Sequence, residues 1–152
     1  MANAQQGCEE LYSALAGAGF DCRRSGEYEG MAPGMSMFEV KLGIPGAEPT
    51  LNGGDTLIQF SDEYGAKITT RLFEVPDDES KAIQCLVACN ALNAAQGYVK
   101  YYVAPENSII YVDHDFVFSD GGFCQRIESY LPKYTKDVSS AISFLKAASE
   151  LQ

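Results

Sequence analysis

Between Leu86 and Asn107 the chain reads LVACNALNAAQGYVKYYVAPEN, a helix, a turn at Gly97 and a tyrosine-rich strand. This stretch limits the fold more than any other. At 3.6 residues per turn, Ile83, Leu86, Val87, Asn90, Ala91 and Ala94 fall on one stripe, and Asn93 stays with Leu86 one heptad on. The stripe predicts the face that packs on a sheet. Amides on such a face need partners, because an unpaired buried polar group costs about 1–3 kcal/mol. Asn90 and Asn93 are therefore read as structural amides bonded to strand backbone, in preference to ligand contacts.

The rest of the chain falls into order around this unit. Leu11, Leu15 and Ala18 carry a first helix over residues 7–18, and Gly17 and Gly19 stop it. Phe20, Asp21 and Cys22 lead into a Gly-rich passage, Arg23 to Gly34, that is a loop or an edge strand. Alternation then predicts a meander of three strands: one from Met35 to Leu42, one over Thr56–Phe60 and one over Ala66–Phe73. Asn52-Gly-Gly-Asp55 and Ser61–Gly65 make the turns. Asp77 can cap the central helix, and Asp78 and Glu79 suit the positive end of its dipole. Strands over Tyr98–Val103 and Ile109–Val112 follow, the second extending toward Phe118. A last helix places Phe123, Ile127, Leu131, Tyr134, Val138, Ile142 and Leu145 on one face, and Pro132 is expected to kink or divide it. The pattern predicts a single α+β domain over residues 1–152: an antiparallel sheet, order α-β-β-β-α-β-β-α, with helices on one face.

Composition narrows the partners. The 11 basic and 21 acidic residues leave a net charge of −10, a field that repels phosphate backbones, so no nucleic-acid partner is expected. Residues 1–120 hold 18 acidic and 7 basic side chains; the remaining segment holds 3 and 4, so the C-terminal helix is close to neutral. No apolar run reaches the roughly 20 residues of a membrane span, and the N-terminus lacks the basic head and apolar stretch of a signal peptide. Five scattered cysteines (Cys8, Cys22, Cys85, Cys89 and Cys124) contain no two-residue gap of a zinc or redox motif. They read as reduced thiols, and the expected location is cytoplasmic.

The helix Leu86-Val-Ala-Cys-Asn-Ala-Leu-Asn93, the strand Tyr98–Val103 with its hairpin partner Ser108–Val112, and the amphipathic helix from Phe123 resemble the YbjN-type domain. That is a bacterial family described as sensory-transduction regulators, with a type III secretion chaperone-like fold. The resemblance runs from Leu11 to about Leu151, and its sharpest motif is Asn-Ala-Leu-Asn. It implies a non-enzymatic protein-binding module: a small acidic cytoplasmic chaperone or regulatory adaptor, and a homodimer. A true type III secretion chaperone for an effector protein is the near alternative, and a small-ligand-sensing domain the distant one. The insert Gly43–Gly54 lengthens the first hairpin and alters any groove near that edge.

No catalytic, cofactor or metal pattern competes with this reading. Asp113-His114-Asp115 joins the only histidine to two carboxylates, but strand alternation sends His114 to the opposite side from its neighbours. It reads as an exposed polar strand end. Gly53-Gly54 and Gly121-Gly122 lack the spacing of phosphate loops and sit beside Asp55 and Asp120. The tyrosines are better interface candidates, since their rings offer apolar area and a polar tip. Alternation puts Tyr98 and Tyr102 on one side of their strand and Tyr101 on the other. With Tyr130 and Phe144, which widen the apolar face of the last helix, they form the expected protein interface: Tyr98, Tyr101, Tyr102, Tyr130 and Phe144.

Overall fold

Alternating burial along the strands builds the sheet. In the computed structural model, which describes residues 4–24, 34–63, 65–116 and 122–150, the elements are α1 (Ala4–Gly17), β1 (Asp21–Arg23), β2 (Met35–Lys41), β3 (Thr56–Ser61), β4 (Gly65–Glu74), α2 (Glu79–Ala95), β5 (Lys100–Ala104), β6 (Ile109–Phe116) and α3 (Phe123–Ser149). The strands form one sheet in the order β1-β2-β3-β4-β6-β5, with every neighbouring pair antiparallel. The fold is α+β, as the sequence pattern predicts. It carries one strand more: the edge strand β1 comprises Asp21–Arg23, ahead of most of the Gly-rich passage, and pairs with the end of β2. Residues 25–33 and 117–121, where the Gly-rich passage and the end of the last strand were expected, lie outside the described residues.

Register explains which face is covered. Phe38, Ile58 and Ile68 are cross-strand partners, as are Thr56 and Thr70, and all are buried. Tyr12 of α1 meets Phe38 edge-on at 5.3 Å, Phe123 of α3 meets Phe60 at 6.1 Å, and the Tyr134 hydroxyl lies 2.7 Å from Thr70 Oγ1. These contacts put α1 and α3 on one side, and α2 covers the β5 end of the same side through Asn93 and Tyr101. The opposite side carries Leu57, Lys67, Thr69, Arg71, Tyr102, Tyr111 and Asp113, none of them fully buried.

Every residue on the expected stripe of α3 is buried, from Phe123 to Leu145. Pro132 does not divide this helix, which runs unbroken for 27 residues. The proline is exposed, while Leu131 and Tyr134 beside it are wholly buried. The carbonyl that loses its helical donor, that of Glu128, lies on the proline's side of the helix, and the buried stripe on the other side holds the helix together against the cost of about 3 kcal/mol that an interior proline carries.

The insert over residues 43–54 is anchored. The Asp55 carboxylate accepts main-chain N–H groups from Leu42, Gly43 and Ile44 at 3.0, 2.9 and 3.0 Å, and the Thr56 hydroxyl at 3.0 Å. Glu48 N–H donates to Arg71 O at 3.0 Å, at the irregular step of β4. Gly46, at φ +85°, lies against Ile142 of α3, where a Cβ would stand 2.9 Å from Cγ2. Only glycine suits that close approach and that backbone angle.

Candidate functional site

The central helix turns the opposite way from the one its large side chains predict. Its buried residues are Cys85, Ala88 and Cys89, with Leu92 half-buried, whereas Ile83 is 52 % exposed, Leu86 49 % and Val87 63 %. These two stripes lie about 180° apart on the helix. Asn90, Ala91 and Ala94 share the exposed stripe. The structural role expected of Asn90 is therefore corrected: its side chain lies on the open face. The reason is packing distance. Small side chains bring α2 close to α3, where the Cys85 thiol meets Ser149, and a leucine–valine face would hold the helices apart.

Asn93 does what was expected of an amide at this place. Its Nδ2 donates to Tyr101 O at 2.9 Å, and its Oδ1 accepts Tyr101 N–H at 2.7 Å. These Tyr101 groups face away from β6, on the outer edge of β5. A side-chain amide thus occupies the edge as a neighbouring strand would, which denies that part of it to a further strand.

The outward-turned stripe of α2 joins Phe144 of α3, which is 47 % exposed. Between the two helices lies a groove of about 620 Å³, lined by Gln84, Val87, Ala88, Ala91, Phe144, Ala147 and Ala148. The two helices run antiparallel, since Cys85 near the start of α2 meets Ser149 at the end of α3, while Tyr98 just past α2 meets Lys133 and Asp137. Soluble chains seldom leave a contiguous apolar surface of this kind uncovered.

The tyrosines divide differently from expectation. Tyr98 precedes β5, and its ring lies on the helix side, 5.7 Å from His114 and 6.4 Å from Tyr130. It therefore does not share a face with Tyr102, because the turn after Gln96 ends the alternation before the strand begins. Its hydroxyl sits between Lys133 Nζ at 3.0 Å and Asp137 Oδ2 at 3.2 Å, and the residue stays 45 % exposed. Tyr101 is 1 % exposed, so it is a core residue and no surface contact. Tyr102 lies on the open side of the sheet, stacked on Tyr111 at 5.8 Å. Tyr130 is half-buried against His114 at 4.7 Å and Phe116 at 5.6 Å. Of the five expected interface residues, Phe144 alone borders the groove.

Asp113 and His114 do part to opposite sides of β6, yet neither is an exposed strand end. Asp113 accepts Thr69 Oγ1 at 2.8 Å and the Tyr102 hydroxyl at 3.3 Å. Burial pushes its carboxyl above the ordinary range, against the downward pull of Thr69, Lys67 and Tyr102. His114 stacks on Phe116 at 4.2 Å, and burial holds its imidazole below the ordinary value. Its Nδ1 and the Tyr130 hydroxyl are buried without hydrogen-bond partners. All five thiols are free, and burial raises those of Cys8, Cys22 and Cys89 to about 11. Among the described residues no three His, Cys, Asp or Glu side chains converge as a metal site, and no helix is long and apolar enough to cross a membrane.

Compared with family models, curated proteins and solved structures, the chain matches none.

Proposed function

We propose that this chain is a non-catalytic protein-binding module, a small acidic chaperone or regulatory adaptor of the YbjN type, working through the outer face of α2 and the adjoining Phe144. One observation carries the reading: Val87 and Phe144, both about half exposed or more, line one apolar groove, and Ile83 and Leu86 on the same outer face of α2 are left about half exposed beside it. Burying such side chains fully stabilises by about 1.5–3 kcal/mol each, so leaving them in water forgoes several kcal/mol that a partner would recover. Outside the groove the net charge of −10 favours solubility despite the exposed apolar face. Asn93 makes strand addition at β5 the less favourable mode of binding.

The test compares tagged wild type with Val87→Asp and Phe144→Asp in pull-downs from the native host, quantified by mass spectrometry. Both substitutions fall on exposed positions, and thermal unfolding checks that the fold survives. Proteins retained by wild type and lost from both variants support the reading. Identical sets from all three would end it.

The unpartnered His114 Nδ1 and Tyr130 hydroxyl favour one other reading, a small-ligand-sensing domain centred on His114. A thermal shift with metals or nucleotides that disappears in His114→Ala supports it. No shift with any of them removes it.

A further inference from the structure

The chemistry of the groove narrows what can fill it. From Ala82 to Val99 no residue is charged, nor is any from Val138 to Leu145, on a chain with 32 charged side chains. Both walls are helix interiors, whose main-chain N–H and C=O groups bond within the helix. The walls therefore offer almost no hydrogen bonds; the exception is Gln84 Oε1, buried without a partner. An extended segment laid here would bury main-chain groups with nothing to satisfy them, at about 1–3 kcal/mol each. A helix satisfies its own. Ala88, Ala91, Ala147 and Ala148 line the groove and let a third helix approach closely, as small residues do wherever helices pack tightly. The exposed stripe from Ile83 to Ala94 is about 17 Å long, enough for three turns of a helix.

One end of the groove is acidic. Gln84 and Ala148 mark that end; Glu79 stands five residues before the first and Glu150 two residues after the second. Asp77 and Asp78 lie beside Glu79 at the start of α2, all three exposed along with Glu150. Lys81 is the only cation of α2. The opposed dipole ends of the two helices offset each other there, and Lys146, in the last turn of α3, lies over the Phe73 ring at 5.4 Å.

We infer that the occupant of the α2–α3 groove is an amphipathic helix of a partner protein, with apolar anchors at i, i+3 or i+4 and i+7 and basic residues at the end lying over the start of α2. The inference rests on the reading of this face as the protein-binding surface and names the partner's chemistry. Charge complementarity favours a basic helix over a second copy of a chain that itself carries −10.

The probe is a fluorescein-labelled 14-residue helix with a leucine stripe and lysines on its polar face and one end, set against a twin with glutamate at every lysine. Anisotropy is read at low and moderate salt, with the full chain. Saturable binding of the lysine peptide is expected, at least tenfold tighter than the glutamate twin. Val87→Asp and Phe144→Asp should each weaken it tenfold or more. Asp77→Asn with Glu150→Gln should weaken it several-fold and flatten its salt dependence. Equal binding of both peptides, lost in Val87→Asp, would overturn the charge argument and leave the surface standing. Lysine-peptide binding that ignores Val87→Asp would be attraction to the acidic chain as a whole and would overturn the inference. Binding of neither peptide also overturns it: a wild-type dimer that Val87→Asp dissociates on sedimentation assigns the face to a second copy, whereas a monomer with unchanged pull-downs ends the surface reading too.

Discussion

Two asparagines one turn apart on α2 should behave in opposite ways when replaced by alanine. Asn93 makes a reciprocal pair of hydrogen bonds with the main chain of Tyr101, at 2.9 and 2.7 Å, and the Tyr101 ring is buried. Asn93→Ala leaves one N–H and one C=O unpaired at the edge of β5. Each costs about 1–3 kcal/mol when water is excluded. Asn93 is only half-buried, so water recovers part of this. Alanine returns up to about 0.7 kcal/mol of helix propensity. The expected loss is about 2–3 kcal/mol, or roughly 5–10 °C in melting temperature for a chain of this size. Asn90→Ala touches nothing and should leave stability unchanged or raise it by a few tenths of a kcal/mol. Urea unfolding followed by far-UV circular dichroism measures both. Hydrogen exchange adds a local readout: the Tyr101 amide, which points away from β6, should be protected in wild type and in Asn90→Ala but exchange quickly in Asn93→Ala. Alanine variants of equal stability, within about 0.5 kcal/mol, would refute the account of Asn93 as a substitute strand.

His114 is the only histidine, and burial lowers its affinity for a proton. The unfolded chain therefore binds that proton more readily, so this contribution is present above about pH 6.5 and is lost as pH falls below it. Wild type should lose stability between pH 7 and 5, and His114→Phe should lose less; parallel curves would contradict the assignment. Asp113 works the other way, because its folded carboxyl is raised. Its contribution is present below the ordinary carboxylate range and lost as pH rises through the folded value, so Asp113→Asn should gain on wild type as pH rises from 3 to 7. A constant difference between the two would argue against a raised carboxyl. Asp55→Ala strips three main-chain donors and the Thr56 hydroxyl of their acceptor and should cost about 3 kcal/mol or more by denaturant unfolding. A loss below 1 kcal/mol would mean that the insert holds its shape without the carboxylate.

The strands were legible because burial on one side of a sheet imposes a period of two, which β3 and β4 keep; in β2 Phe38, Glu39 and Val40 are buried in succession. The face of α3 was legible for the matching reason at 3.6 residues: serines, lysines and acids occupy much of its other side. Tyr98 was misplaced because alternation was extended one turn beyond the strand that obeys it. Asn93 was found through chemistry, since an amide beside a strand edge has only a few ways to be satisfied.

The misreading of α2 has a cause that also bears on what the protein does. Hydrophobicity is spread almost evenly round this helix, so the pattern offers two candidate inner faces, one of large side chains and one of small. Choosing the large one assumes that a chain buries as much apolar area as it can. That assumption holds when the chain folds for itself alone. Here Cys85, Ala88 and Cys89 go inward, where they allow close packing on α3, while Ile83, Leu86 and Val87 remain outside with Phe144. A helix set to maximise its own burial would be rotated half a turn, and Asn93 forbids this, because its bonds to Tyr101 fix which side faces the sheet. The large side chains are thus held outward by the same amide that closes the sheet edge. Selection for the stability of the isolated fold alone would favour polar residues at these exposed positions, where Ile83, Leu86 and Val87 return little to the fold. Their presence there is better accounted for by a surface that is covered when the protein is at work.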